Sequence, residues 1–192
     1  LSATGANNCA FGSTAGDAIT SGTGNCAFGQ NALSAQLTSA NASAFGTSAL
    51  ALNTAADNCA FGANALDANT SGIRNCAFGK DALGANVSGA DSVAFGFNAL
   101  LLCTGSNNCA FGSLALDAAT TSSTNNAFGA AALSANTSGS ENNAFGFAAL
   151  VSSIVGSQNC AFGHNALTVN TADSNNAFGY QALDSNTSGT RN

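Results

Sequence analysis

Proline is absent from the 192 residues, and so are methionine and tryptophan. At its usual frequency of about 5%, proline would occur roughly ten times. A backbone that excludes it altogether is one whose N–H groups are nearly all donated to a ladder. Basic residues are almost as scarce: three Lys and Arg stand beside nine acidic residues and one His, for a net charge of −6. Three cations are too few for a nucleic-acid footprint or for attachment to an anionic membrane surface. Long hydrophobic runs are missing as well. A run such as Ala99 to Cys103 falls far below the roughly 20 residues of a membrane span. Neither nucleic acid nor membrane insertion is therefore expected. Disorder is disfavoured too, because 45% of residues are apolar and only 6% charged, the reverse of a disordered composition.

What the chain has instead is repetition. Ala-Phe-Gly occurs eleven times, at Phe11, Phe28, Phe45, Phe61, Phe78, Phe95, Phe111, Phe128, Phe145, Phe162 and Phe178, spaced by 17 residues seven times and by 16 three times. The repeat fills the chain, so residues 1–192 read as one continuous array without a linker or a separate catalytic domain. The final Thr190-Arg191-Asn192 parallels Ile73-Arg74-Asn75, which precedes a further repeat; the array is expected to be a segment of a longer protein.

Counting from each Phe as position zero, Ala at −1, Gly at +1 and Ala at +4 are invariant. Position +5 is Leu in ten copies (Leu33, Leu50, Leu66, Leu83, Leu100, Leu116, Leu133, Leu150, Leu167 and Leu183), with Gly16 in the first. Position −3 is Asn except at Ala42 and Ser92, and −2 is Cys, Asn, Ser or Val. Position +9 is Thr eight times and otherwise Leu37, Val87 or Ile154. Period-2 spacing predicts a first strand with −2 and 0 on one face and a second with +5, +7 and +9 on one face. Both faces are expected to point inward, with Phe and Leu as the core. Ser-Gly and polar residues after +9 form a turn, and the 16-residue coils lose their residue there, as in Thr54-Ala55-Ala56-Asp57-Asn58. A helical solenoid is disfavoured by the Gly in every copy, which costs a helix interior about 1 kcal/mol. The expected fold is all-β: a parallel β-solenoid, or β-roll, of eleven coils with two short strands each. At about 4.8 Å per coil it makes a rod of roughly 50 Å. Two large core side chains per coil are little against the entropy of ordering 16 or 17 residues. Backbone ladders, stacked Asn amides at −3 and lateral association through the Ala columns at −1 and +4 are expected to supply the rest.

The stretches Asn25-Cys26-Ala27-Phe28-Gly29-Gln30-Asn31-Ala32-Leu33 and Asn175-Asn176-Ala177-Phe178-Gly179-Tyr180-Gln181-Ala182-Leu183, followed by Asp184-Ser185-Asn186-Thr187-Ser188-Gly189, carry a resemblance. They resemble the head repeats of trimeric autotransporter adhesins, which fold as left-handed β-rolls. They resemble more closely the Asn-Thr-Ala-x-Gly-x-x-Ala-Leu arrays of tail-fibre-like proteins. The chain departs from both by placing Cys where Ser or Thr is usual. The resemblance implies a left-handed, elongated, trimeric fibre on a cell or virion surface, with no catalytic residues to carry over. A structural and adhesive shaft is thus expected, self-associating as a homotrimer or filament and open to a host or surface receptor. The alternative is an ice-binding solenoid, suggested by the Thr column.

A second period of 50 residues relates Phe28, Phe78, Phe128 and Phe178. In every third coil, Phe97 and Phe147 at +2 and Leu101 and Val151 at +6 form a candidate interface of exposed apolar spots. The alternative for this period is simple duplication of a three-coil unit. Six of the seven cysteines share column −2 without a C-x2-C pair, so zinc is not expected and buried free thiols are favoured over disulfides. Cys103, at +8 among residues expected to face outward, is the candidate reactive thiol. His164 stands without a second histidine, and single Asp residues at +6 lack the six to eight oxygens calcium takes. No catalytic residue, metal or cofactor is expected. Sequons at Asn41, Asn69, Asn86, Asn136 and Asn186 read as by-products of the repeat.

Overall fold

A computed structural model describes residues 5–35 and 38–192; among them are eleven three-residue strands and no helix, from β1 (Cys9–Phe11) to β11 (Asn176–Phe178). No helix among the described residues is long and apolar enough to cross a membrane. The strands form one parallel sheet in chain order. Like columns pair throughout: Cys59 on Cys76, Ala60 on Ala77 and Phe61 on Phe78. The 16-residue coils keep this register, as where Ser43, Ala44 and Phe45 pair with Cys59, Ala60 and Phe61. The fold is a parallel β-solenoid.

The ladder runs well beyond the strands. Gly29 N donates to the Phe11 carbonyl, Asn31 N to Ser13, Leu33 N to Ala49 and Ala35 N to Ala51, each 2.9–3.1 Å long and each crossing to a neighbouring coil. Within the coil, Ala32 N donates to Gly29 at 3.3 Å and Asn53 N to Leu50 at 3.1 Å. With so many N–H groups committed, a proline would orphan an acceptor at almost any column.

Each coil turns at residues of positive φ. Gly at +1 has φ of 126–142°, a region closed to L side chains. A Cβ on Gly46 would in addition lie 2.5 Å from the Gly62 carbonyl oxygen. Non-glycine residues take the left-handed region at −4 (φ 56–62°), +3 (52–59°) and +5 (50–54°). Positive φ at +3 and +5 breaks an extended backbone, so the second strand expected over +5 to +9 does not form. Among the described residues each coil has one strand, and turns close it.

The core is also arranged differently from the expectation. Ala at −1 and Ala at +4 are fully buried in the middle coils, as at Ala60, Ala65, Ala94 and Ala99, together with Leu33 through Leu167 at +5. Leu183, in the last coil, is 40% exposed. The Phe column lies on the other face of the strands, because −2 and 0 must both point opposite to −1. Phe28, Phe45, Phe61, Phe78, Phe128, Phe145 and Phe162 are half-buried on the outside, and Phe11, Phe95, Phe111 and Phe178 are exposed. The interior, walled by neighbouring coils and already holding a Leu and two Ala per coil, has no room for a phenyl ring in each. The Ala columns therefore cannot be lateral faces between chains. At +9, Thr54, Val87 and Ile154 point to solvent, while +8 points inward at Asn53, Asn69 and Cys103. Leu37 of the +9 column lies outside the described residues.

Two buried Asn columns brace the polar corner. Asn142 Oδ1 accepts from Asn159 N (2.9 Å) while its Nδ2 donates to the Gly156 carbonyl (2.8 Å), both on the following coil. The same bracket recurs at Asn25, Asn58, Asn75, Asn108 and Asn125. At +8, Asn69 Nδ2 donates to Asn53 Oδ1 (2.7 Å) and Asn86 Nδ2 to Asn69 Oδ1 (3.1 Å), and Asn136 closes its own turn through Gly139. The sequon residues Asn69, Asn86 and Asn136 are thus fully buried and cannot carry a glycan in the folded coil; Asn41 is exposed.

Candidate interaction face

The short strands present −2 and 0 outward, and the 0 column becomes a continuous aromatic stack. From Phe28 to Phe78 successive ring centroids lie 4.5–4.8 Å apart with planes within 5°. From Phe111 to Phe178 they lie 4.5–4.9 Å apart and within 14°. Phe78 to Phe95 and Phe95 to Phe111 are looser, at 5.0 and 5.7 Å, and Phe11 tilts 30° from Phe28 at 6.3 Å. Stacking covers the ring faces and leaves the ring edges as a ridge running the length of the rod.

No charged residue occupies this face. The three basic and nine acidic residues all fall in columns −5, −4, +2, +3 and +6, at or beside the turns. One ion pair there runs along the axis. Arg74 grips Asp91 of the next coil with two bonds, Nε to Oδ1 at 2.6 Å and Nη2 to Oδ2 at 2.7 Å, which holds the Asp91 carboxyl below its usual range. Lys80 pairs with Asp81. This sorting of charge was readable in the sequence, since −2 and 0 never carry a charge in eleven copies.

The candidate spots of the three-coil period sit on the corner beside this ridge. Phe97 is 48% exposed and Phe147 55% exposed, whereas Leu101 and Val151 are half-buried. Both aromatics have local neighbours. Lys80 Nζ lies 5.6 Å from the Phe97 centroid. His164 meets Phe147 edge-on at 5.1 Å and Tyr180 at 5.4 Å. His164 thus belongs to an aromatic corner cluster.

Beside the phenyl ridge runs the −2 column. All seven cysteines are free. Cys9 pairs in register with Cys26, and Cys59 with Cys76, whereas Cys109 sits between Val93 and Asn126, and Cys160 between Asn143 and Asn176. Burial, then the neighbouring Cys76, push the Cys59 thiol up to about 11. Cys103 is not the accessible thiol of the set. It is fully buried in the +8 column, where Asn108 Nδ2 donates to its sulfur at 3.3 Å, and burial pushes its thiol up to about 11, an unreactive setting.

A second uncharged face carries columns +7 and +9. Ala, Leu, Val or Ser at +7 stands beside mostly Thr at +9, with Leu52, Leu102 and Val169 between 39% and 53% exposed. Its threonine hydroxyls bind along the axis: Thr104 Oγ1 donates to the Thr120 carbonyl at 2.6 Å and Thr120 Oγ1 to the Thr137 carbonyl at 3.0 Å. Among the described residues, no group of three or more His, Cys, Asp or Glu could hold a metal ion. A shallow hollow of about 310 Å³ lies over the last coil, lined by Leu183, Asp184, Ser185 and Asn186. Compared with known protein families, with curated proteins and with solved structures, the chain finds no match.

Proposed function

We propose that this chain is a structural and adhesive fibre protein: a stiff shaft of coils, wound left-handed, in an extracellular appendage or virion fibre, where like chains associate as a trimer or filament. The carrying observation is the half-exposed phenyl ridge on a charge-free face, continuous over eleven coils. Exposed apolar surface of that extent marks an interaction site. A second copy fits it best, because two such faces share one coil spacing and bring no like charges together. The internal position of the Ala columns moves the contact from those columns to the phenylalanines. Backbone bonding between coils at nearly every column supplies the stiffness a shaft needs.

Sedimentation of the purified chain tests this reading, with Phe61→Ser/Phe128→Ser as the comparison. Both rings are on the outside, so the coil itself survives the change. Withdrawing two rings at roughly 1.5 to 3 kcal/mol each weakens association by about a hundredfold or more. Unchanged circular dichroism with a fall to monomer is the expected result. A wild-type chain that is monomeric at high concentration and still melts cooperatively overturns the reading.

One observation favours a second reading. The +7 and +9 columns form an uncharged array, mostly Ala at +7 and Thr at +9, repeating at the coil spacing, as an ice-binding face would. Val87 and Ile154 interrupt its hydroxyls. Thermal hysteresis in a freezing assay would select this reading over the first.

A further inference from the structure

We propose that the register-paired thiols Cys59–Cys76 and Cys9–Cys26 are two-coordinate sites for a soft monovalent cation, specifically Cu(I), one ion per pair. The inference does not depend on the fibre reading. It starts from the register: each pair occupies one column on consecutive coils, on the solvent side of the sheet, with free sulfurs. The spacing is set by the scaffold, since the rings flanking Cys59 and Cys76 stack at 4.7 Å. Adjacent Cβ atoms at a strand spacing of about 4.8 Å stand beyond the roughly 3.5–4.5 Å of a disulfide. Two metal–sulfur bonds of about 2.3 Å laid end to end span about 4.6 Å, which matches the coil spacing.

The ligand set selects the metal. No third His, Cys, Asp or Glu among the described residues joins either pair, so tetrahedral zinc lacks its donors. Thiolates prefer soft ions such as Cu(I), which two sulfurs satisfy in a linear arrangement. Binding forms two Cu–S bonds and breaks two S–H bonds: two thiols and Cu(I) give a bis-thiolate cuprate of charge −1 and two protons, with no change in oxidation state.

The array contains its own controls. Cys109 and Cys160 lie in the same column with Val or Asn on either side. Ser43 shows that serine is accommodated there. The experiment is anaerobic titration of the reduced full chain with Cu(I) against a chromophoric Cu(I) chelator, with X-ray absorption of the loaded protein. Two Cu(I) per chain in a two-sulfur linear environment are expected. Cys76→Ser should leave one, and Cys26→Ser/Cys76→Ser should leave none held against the chelator, the loss of a second donor costing about a hundredfold or more in affinity. Cys109→Ser and Cys160→Ser should leave two. The proposal is overturned if Cys109→Ser lowers the count as Cys76→Ser does, if the chelator strips the wild type completely, or if the signature shows three or more ligands.

Discussion

Asp117 occupies a poor place for a carboxylate. It sits at +6 on the corner, half-buried, with Oδ1 buried and without a hydrogen-bond partner. Burial raises its pKa above the usual carboxylate value, and the Asp117 and Ala118 N–H groups offset this only in part. A carboxyl whose folded pKa is raised is most stabilising below its unfolded pKa, and that contribution is lost as pH rises through the folded value. Asp117→Asn should therefore raise stability at pH 7. The gain should shrink on acidification and vanish below about pH 3.9, the ordinary aspartate value. Urea midpoints of both proteins across that range measure it. Single positions also show what the sequence disclosed and what it concealed. The Leu column was legible because it is apolar in nearly every copy. The Phe column misled because a large ring suggests a core, yet its strand neighbour Ala never varies while −2 takes Cys, Asn, Ser and Val. An unvarying small residue is the mark of a tight interior. Gly16, standing at φ 58° where ten other coils place Leu, and Gly24, at φ 69° in the −4 column, were the sequence's signals of left-handed backbone at those columns.

The coil is the repeating element, and its corner is held by buried amides more than by apolar contact. Asn142 engages the next coil through both ends of its side chain. Replacing it by Ala orphans the Asn159 N–H and the Gly156 carbonyl, each at about 1–3 kcal/mol. Asn142→Ala should thus cost about 2–6 kcal/mol in denaturant unfolding and expose the amide protons of the adjoining coils to exchange. The column at −3 was readable as a stacked amide ladder. The ladder at +8 was not, because Cys103, Ala119 and Ser153 interrupt it and because turn asparagines usually face water. The predicted second strand failed for a related reason: alternating apolar residues from +5 to +9 imitate a strand, while positive φ is invisible in Leu.

At the scale of the whole molecule, stability is a sum over neighbouring coils, as in other one-dimensional arrays. Removing residues 80–129 joins Gly79 to Ala130, column +1 to column +2, and excises one complete three-coil unit. The shortened chain should melt cooperatively and scatter X-rays as a rod about 14 Å shorter, at about 4.8 Å per coil. Removing residues 80–87 alone should unfold the adjoining coils, since it takes the inward Ala82, Leu83 and Asn86 out of one coil and leaves too little chain to complete the turn. The parallel stack was evident from the period alone, whereas which side of it meets water depended on a choice of face that spacing leaves symmetrical.

Coils of 16 and 17 residues pair in the same register because the extra residue is accommodated between +9 and −6, where no strand runs. One edge of the rod is accordingly a hinge line along which the polypeptide tolerates changes in length without disturbing its neighbours. Peptides grafted there would project at multiples of the coil height, like marks on a ruler.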